Sequence, residues 1–462
     1  MPLVGRRELS VLDFGLIKML PNDIRYALRL LRRSPGFTAV AVLSLALGIG
    51  ANTAIYSLFY TIMLRQLPVV HPEQLVQFLR TEPGGPRNDG YWGWDQYEHF
   101  RDQNHVFSAL TGMSFDNVAS IRIDGSEPEN RILENVPGNY FKTLGVKPAI
   151  GRLIGPQDVP VSGDGAVVVV SWFYWTTKLQ RDPAVVGKRI WYQDEPKTII
   201  GVAPRMYIGP RVGSRTDIWM PREKSDLTML ARLKPGVTLQ QAQAEMSVLY
   251  RRWLVQNPAG NNAPRARQTQ IEVEPAGAGL VRVRDQYGKP LVLLLVVVGL
   301  LLLLSCVNMA SMLLARSAGR QQEIAVRVGL GASRTRLVQL MLTESVLLSA
   351  AGSLVGVVMA YLATGLLVRI MASGRDFEHI EIEVQPDLHL MVFTAGIALL
   401  TGVLFGLAPA WYAFRSAPAF ALRQSGRGGD TRFWRLFGKG LVVAQVALSI
   451  LLVTAAAVFL GH

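Results

Sequence analysis

A chain of 462 residues that is 50% hydrophobic yet 18% charged is too apolar for an ordinary soluble protein and too charged for a bare membrane bundle, so both kinds of domain are expected. Lys and Arg outnumber Asp and Glu by 48 to 34, but the basic residues flank apolar runs and no helix-turn-helix or stacking-aromatic pattern accompanies them, which excludes nucleic acid and points to positive-inside topology. The lone cysteine, Cys306, lies inside an apolar run and excludes a disulfide framework, and the six histidines show no metal-ligand spacing.

Residues 1–36 read as a cytoplasmic leader and an amphipathic helix. Asp23 to Arg33 places Ile24, Leu28 and Leu31 at helical spacing with Arg25, Arg29, Arg32 and Arg33 between them, as a helix lying on membrane lipid would. Ser34-Pro35-Gly36 ends it. Residues 37–64 carry no charge, are too long for the apolar core of a signal peptide and lack an A-x-A cleavage site, so they are expected to form a retained first span.

Residues 65–289 change character: prolines, tryptophans and charges of both signs predict a folded aqueous α+β domain. Ala166 to Val170 suits a buried strand, and Ser171 can cap a helix carrying Trp172, Trp175 and Leu179. Lys188 to Trp191 and Thr198 to Val202 flank a turn at Gln193-Asp194-Glu195-Pro196. Met229 to Leu233 is a further strand, Thr238 with Gln241 is a capping box opening a helix through Tyr250, and Ile271 to Glu274 is a late strand.

Three more spans are expected at 290–315, 337–371 and 388–414, and a fifth at 440–462. Between them lie a basic segment at 316–336, a mostly acidic loop at 372–387 (Asp376, Glu378, Glu381, Glu383, Asp387) and a basic linker at 415–439. Only one topology puts every basic segment inside: N-terminus cytoplasmic, large domain outside. The fold class is therefore a membrane α-helical bundle plus a large extracytoplasmic α+β domain inserted between spans 1 and 2.

No Walker A sequence is present, since Gly438-Lys439 is followed by Gly440 rather than Ser or Thr, and no G-x-S-x-G, H-E-x-x-H or nucleophile–base pair is found. The chain is expected to be no enzyme and to bind no cofactor directly. Gly352 with Gly356, and Gly402 with Gly406, recur at i and i+4, a spacing that permits close helix contact and that also arises because glycine is common in membrane helices. Glu344 is costly two turns into a span unless it meets a partner; an interfacial acid paired with an arginine and a role in coupling are both open. In the basic segment, Gln321 to Val328 can form a short helix in which Glu323 and Arg327 are an i,i+4 pair and Ile324 and Val328 make an apolar edge. Gly329 and Gly331 stop it and Ser333 can cap the next helix. A positive-inside anchor needs no such shape; a handle for another protein does.

The run Glu323 to Arg334, followed by Leu342-Thr343-Glu344-Ser345, resembles the signature after the second span of FtsX-like permeases in MacB-type ABC transporters. Gly138-Asn139-Tyr140-Phe141, Asp182 to Gly187, Gly201 to Pro204 and Ala231 to Gly236 resemble the MacB-type periplasmic core domain. Asp23 to Arg29 and Pro35 to Thr38 look like the acidobacterial duplicated orphan permease branch, and Gly440 to Ser449 resembles the first span of a second repeat, which reads as a product truncated within that repeat. The resemblance implies an inner-membrane permease subunit served by a separate ABC ATPase, with ATP reaching it only through that partner. The segment touching the ATPase would be Glu323, Ile324, Arg327, Gly329, Gly331, Ser333 and Arg334. It also implies a homodimer or pseudo-dimer. The competing expectations are a membrane-anchored extracytoplasmic regulator of FtsX type and an inactive remnant.

Overall fold

The computed structural model describes residues 24–81, 92–114, 117–123, 126–158, 165–211, 214–221, 226–257, 269–318, 334–372, 388–415 and 431–460. It divides into a helical unit, drawn from residues 1–59, 290–367 and 384–462, and a mixed unit, drawn from 60–289 and 368–383.

The helical unit opens with α1, residues 24–33, whose buried residues are Ala27, Leu30 and Leu31. The sequence pattern put Ile24, Leu28 and Leu31 together on a face toward lipid; in the structure Leu28 is 47% exposed, whereas Leu31 is buried in the core of the bundle. Next come α2 (Pro35–Phe59), α7 (Val281–Ala318), α8 (Arg334–Ala372), α9 (Leu388–Arg415) and α10 (Thr431–Leu460). Among the described residues, three stretches, Pro35–Leu64, Tyr287–Leu313 and Val338–Ala363, are long and apolar enough to cross a membrane, and His389–Leu404 and Val442–Thr454 are shorter apolar stretches. The sequence reading began its second span at Pro290; the helix begins at Val281 and carries Pro290 inside it, a position that forfeits one backbone hydrogen bond. The core of this unit joins Leu31, Ala41, Leu45, Ile49, Met309, Leu313 and Leu348.

The mixed unit contains two sheets. The first is four-stranded, ordered β11-β1-β10-β2, with β1 at Leu75–Thr81, β2 at Phe107–Met113, β10 at Thr228–Leu233 and β11 at Gln270–Pro275. With α3 (Trp94–Gln103) following β1 and α6 (Leu239–Gln256) following β10, it is a split β-α-β pair with every neighbour antiparallel. Between its second and third strands the chain inserts the other sheet: β3 (Asn117–Ile123), β4 (Glu129–Val136), β5 (Ile150–Gly151), β6 (Val167–Val170), β7 (Arg189–Tyr192), β8 (Glu195–Val202) and β9 (Ile218–Pro221). The order β8-β6-β9-β4-β3-β7 closes on itself because β7 also pairs with β8, so these six strands form a small barrel without free edges.

Local chemistry explains these elements. The valines of β6 are buried on both faces: Val168 and Val170 enter the barrel core, Val169 the second core cluster, which Leu75, Met113 and Leu230 of the four-stranded sheet also enter. This is why the strand reads as a continuous apolar run. Ser171 accepts a hydrogen bond from the Tyr174 amide at 3.1 Å and starts α5 (Trp172–Thr177), which ends before Leu179. The β7–β8 turn is only Gln193-Asp194, both with positive φ (51° and 62°), so Glu195 and Pro196 belong to the strand; two left-handed residues suit the twist of a tight hairpin. The Thr238/Gln241 capping box is formed, and α6 continues to Gln256.

Candidate functional site

Helix α2 is the hub of the helical unit. Ala46 and Gly50 face Gly352 and Gly356 of α8: a Cβ on Gly50 would come within 2.8 Å of the Gly356 carbonyl oxygen, and one on Gly356 within 3.0 Å of the Ala46 oxygen. Two small-xxx-small stripes thus bring the backbones together where dispersion must replace the hydrophobic effect as the driving force. The Ala46/Gly50 half was not singled out from the sequence. Gly402 of α9 packs on Val346 and Ser349 of α8, while the surroundings of Gly406 lie outside the described residues.

Polar side chains join the same helices. Asn52 Nδ2 donates to the Val298 oxygen of α7 at 2.7 Å, Thr53 meets Thr394 of α9 at 3.3 Å, and the Ser349 and Thr401 hydroxyls lie 2.9 Å apart. Tyr56 stacks on Phe393. Each bond satisfies a group that lipid would leave unpaired.

At the end of the bundle next to the basic segment, three helices converge on one arginine. Arg316, near the end of α7, donates from Nη1 to Glu344 Oε1 of α8 at 2.8 Å, and from Nη2 to Ser34 Oγ at 2.6 Å and the Leu30 oxygen at 3.2 Å. Its guanidinium also lies 4.5 Å from the Phe37 ring centroid. The chain is shaped locally to offer these partners. Ser34 separates α1 from α2, Pro35 opens α2 with the missing amide hydrogen that a first helical turn tolerates, and the Thr38 hydroxyl bonds the Leu31 and Ser34 oxygens across the junction. The pair side chains are 17% and 12% exposed, so the carboxylate that the sequence marked as costly has a fixed, largely dehydrated cation beside it. Glu323, Ile324, Arg327, Gly329, Gly331 and Ser333 lie outside the described residues, and Arg334 is the first residue of α8. The Arg316–Glu344 node is therefore built on the two helices that lead into and out of that segment.

The mixed unit holds a second buried charge. Glu134 of β4 is fully buried; Trp219 Nε1 donates to its Oε2 at 3.1 Å, and Arg211 Nε stands 3.6 Å from Oε1. Arg211 also donates from Nη2 to the Ser114 oxygen at 2.6 Å, just past β2, so one guanidinium touches both the barrel and the segment linking it to the four-stranded sheet. Nearby, the Tyr140 and Tyr207 hydroxyls are 2.7 Å apart and both residues are fully buried. Burial pushes both phenols well above the usual range, and for Tyr140 the neighbouring Tyr207 and Glu134 add to it. None of these residues was singled out from the sequence for charge or chemistry, since their meeting depends on strands far apart in the chain.

On the outer face of β3 and β7, a half-open cavity of about 630 Å³ is lined by Val118, Ser120, Arg122, Pro128, Trp191 and Asp194, with Arg122 lying 5.0 Å from the Trp191 ring centroid. Among the described residues, no three His, Cys, Asp or Glu side chains gather as a metal site.

Residues 38–249 match the model of the MacB-like periplasmic core domain, and residues 295–418 match that of the FtsX-like permease C-terminal domain. Curated relatives include the macrolide export ATP-binding/permease protein MacB of Neisseria meningitidis, 26% identical over 304 residues, covering 63% of this chain and 43% of the relative. Another is that of Chromobacterium violaceum, 22% identical over 442 residues, covering 92% of this chain and 62% of the relative. The chain thus spans about two-fifths of the length of the first. Similar solved structures include the periplasmic region of MacB from Actinobacillus actinomycetemcomitans, with TM-score 0.34 and 13% identity over 47% of this chain and 92% of that one. A domain of a putative permease protein from Porphyromonas gingivalis has TM-score 0.34 and 12% identity over 45% and 92% of the two chains.

Proposed function

We propose that this chain is the permease part of an ABC-type transporter of the inner membrane, moved by a separate ATPase whose work it passes to the domain between its first two spans. The two matched models are a periplasmic core domain and a permease domain. The observation that carries the reading is the Arg316 node. A segment that takes a push needs helices anchored to each other at its roots, and Arg316 fastens α7, α8 and the α1–α2 junction together at that place. On this reading Glu323 to Ser333 meets the ATPase, with Glu323 and Arg327 shaping a short helix and Gly329 and Gly331 letting it pivot. The N-terminus is cytoplasmic, the large domain is periplasmic, and the working unit is a homodimer or a pseudo-dimer. ATP is bound only by the partner.

The test is co-purification of the chain with the ABC ATPase encoded beside it, with and without Glu323→Ala and Arg327→Ala. The native chain should retain the ATPase and raise its turnover, and the paired substitution should abolish both. An ATPase that fails to associate, or that ignores both changes, overturns the assignment.

A further inference from the structure

We propose that α1 carries a binding site for the headgroup phosphate of anionic lipids, formed by Arg25, Arg29, Arg32 and Arg33 around Leu28. All five side chains are exposed. At 3.6 residues per turn they fall within about 140° of arc, opposite Ala27, Leu30 and Leu31, which are buried against the bundle. The helix is held in this roll angle from two sides: Leu31 enters the core with Ala41, Leu45 and Met309, and the Leu30 oxygen accepts from Arg316. The arginines therefore face outward by construction.

Two features identify a lipid as the occupant. Leu28, 47% exposed in the middle of the arginine face, gives a purely aqueous surface nothing, but at a membrane surface it enters the acyl boundary while the longer arginines reach past it to the phosphates. Directly after α1, helix α2 exposes Val40, Leu43 and Leu47 (49%, 60% and 59%), an apolar face that acyl chains cover, so α1 sits at the depth where headgroups begin. Residues 24–33 contain four arginines and no acid, the charge pattern complementary to a phosphate layer. Guanidinium suits that ligand because its fork pairs two phosphate oxygens at once.

The test uses the full chain extracted from membranes of equal parts phosphatidylcholine and phosphatidylglycerol, with retained lipids counted by native mass spectrometry. The native chain should retain phosphatidylglycerol preferentially. Replacing two arginines by glutamine, as R25Q/R29Q or R32Q/R33Q, should lower that preference about 25-fold, on the scale of about fivefold per basic residue at a charged leaflet. The fourfold lysine variant keeps the charge and should keep most of the preference, and because the changes are on the exposed face the thermal midpoint should hold in all of them. Equal retention of the two lipids by the native chain, or a preference unchanged in the fourfold glutamine variant, overturns the proposal. So does a preference that survives while association with a protein partner is lost, which would assign the arginines to that partner.

Discussion

Arg316 on α7 and Glu344 on α8 meet at 2.8 Å with both side chains largely buried, and the same guanidinium reaches Ser34 and the Leu30 oxygen between α1 and α2. Removing one member of such a pair leaves a poorly hydrated charge and costs about 3–5 kcal/mol. Arg316→Ala should cost more than Glu344→Ala, because it also removes the donors to Ser34 and Leu30. The double substitution should cost less than the sum of the two, as it does whenever two residues share one interaction. Thermal unfolding of the full chain in lipid nanodiscs measures all three; strict additivity would show that the pair is only a geometric neighbour.

The Gly50–Gly356 crossing makes a steric prediction. A methyl on Gly50 has 2.8 Å to a backbone oxygen that cannot rotate away, so Gly50→Ala must push α2 and α8 apart, at about 1–3 kcal/mol. Gly396→Ala, where a Cβ meets nothing within 4 Å, should be neutral or slightly stabilising. Equal thermal midpoints for the two variants would contradict the tight crossing.

Much of this was legible in the sequence for physical reasons, and the remainder was not for equally physical ones. Apolar length marks a membrane helix, and a carboxylate within one demands a partner, so Glu344 stood out before Arg316 was seen to reach it. Ser171 and Thr238 announced their caps because capping is local. The barrel was hidden because its ring also needs pairings between strands far apart in the chain, such as Glu134 with Trp219, about which adjacent residues carry no information. Leu31 was misplaced because an apolar residue near a bilayer can face either lipid or protein, and helical spacing alone does not say which. Ala46 and Gly50 were passed over because small residues inside an apolar run announce a contact only when the facing stripe is known.

Glu134 and Arg211 make a third prediction. Glu134 is fully buried, and Arg211, whose Nε stands 3.6 Å from it, also reaches the Ser114 oxygen. Arg211→Ala should destabilise the mixed unit by about 3–5 kcal/mol by stranding the carboxylate. Glu134→Gln, which keeps an acceptor for Trp219 and removes the charge, should cost less, and adding it to Arg211→Ala should restore part of the loss. Tryptophan fluorescence during denaturation of the full chain follows this directly, since Trp219 donates to Glu134. A combined variant no more stable than Arg211→Ala alone would show that the stranded charge is not the cause.

The Tyr140–Tyr207 pair predicts a loss of stability at alkaline pH. Both phenols are held well above their ordinary value, first by burial, whereas in the unfolded chain they ionise near pH 10. Above about pH 10 the unfolded state therefore binds fewer protons than the native state, and the sign of the linkage makes stability fall as pH rises. Below that pH both states hold the phenols neutral, and the pair contributes no pH dependence. Replacing both tyrosines by phenylalanine should cost about 0.5–1.5 kcal/mol at neutral pH for the lost hydrogen bond, yet flatten the decline above pH 10. Melting of the full chain as a function of pH, with phenolate absorbance recorded alongside, tests both halves. The native chain should show a delayed, cooperative phenolate component coincident with unfolding, and the double variant should lack it. Should the two chains decline in parallel through the alkaline range, the buried pair would not be the group that titrates on unfolding.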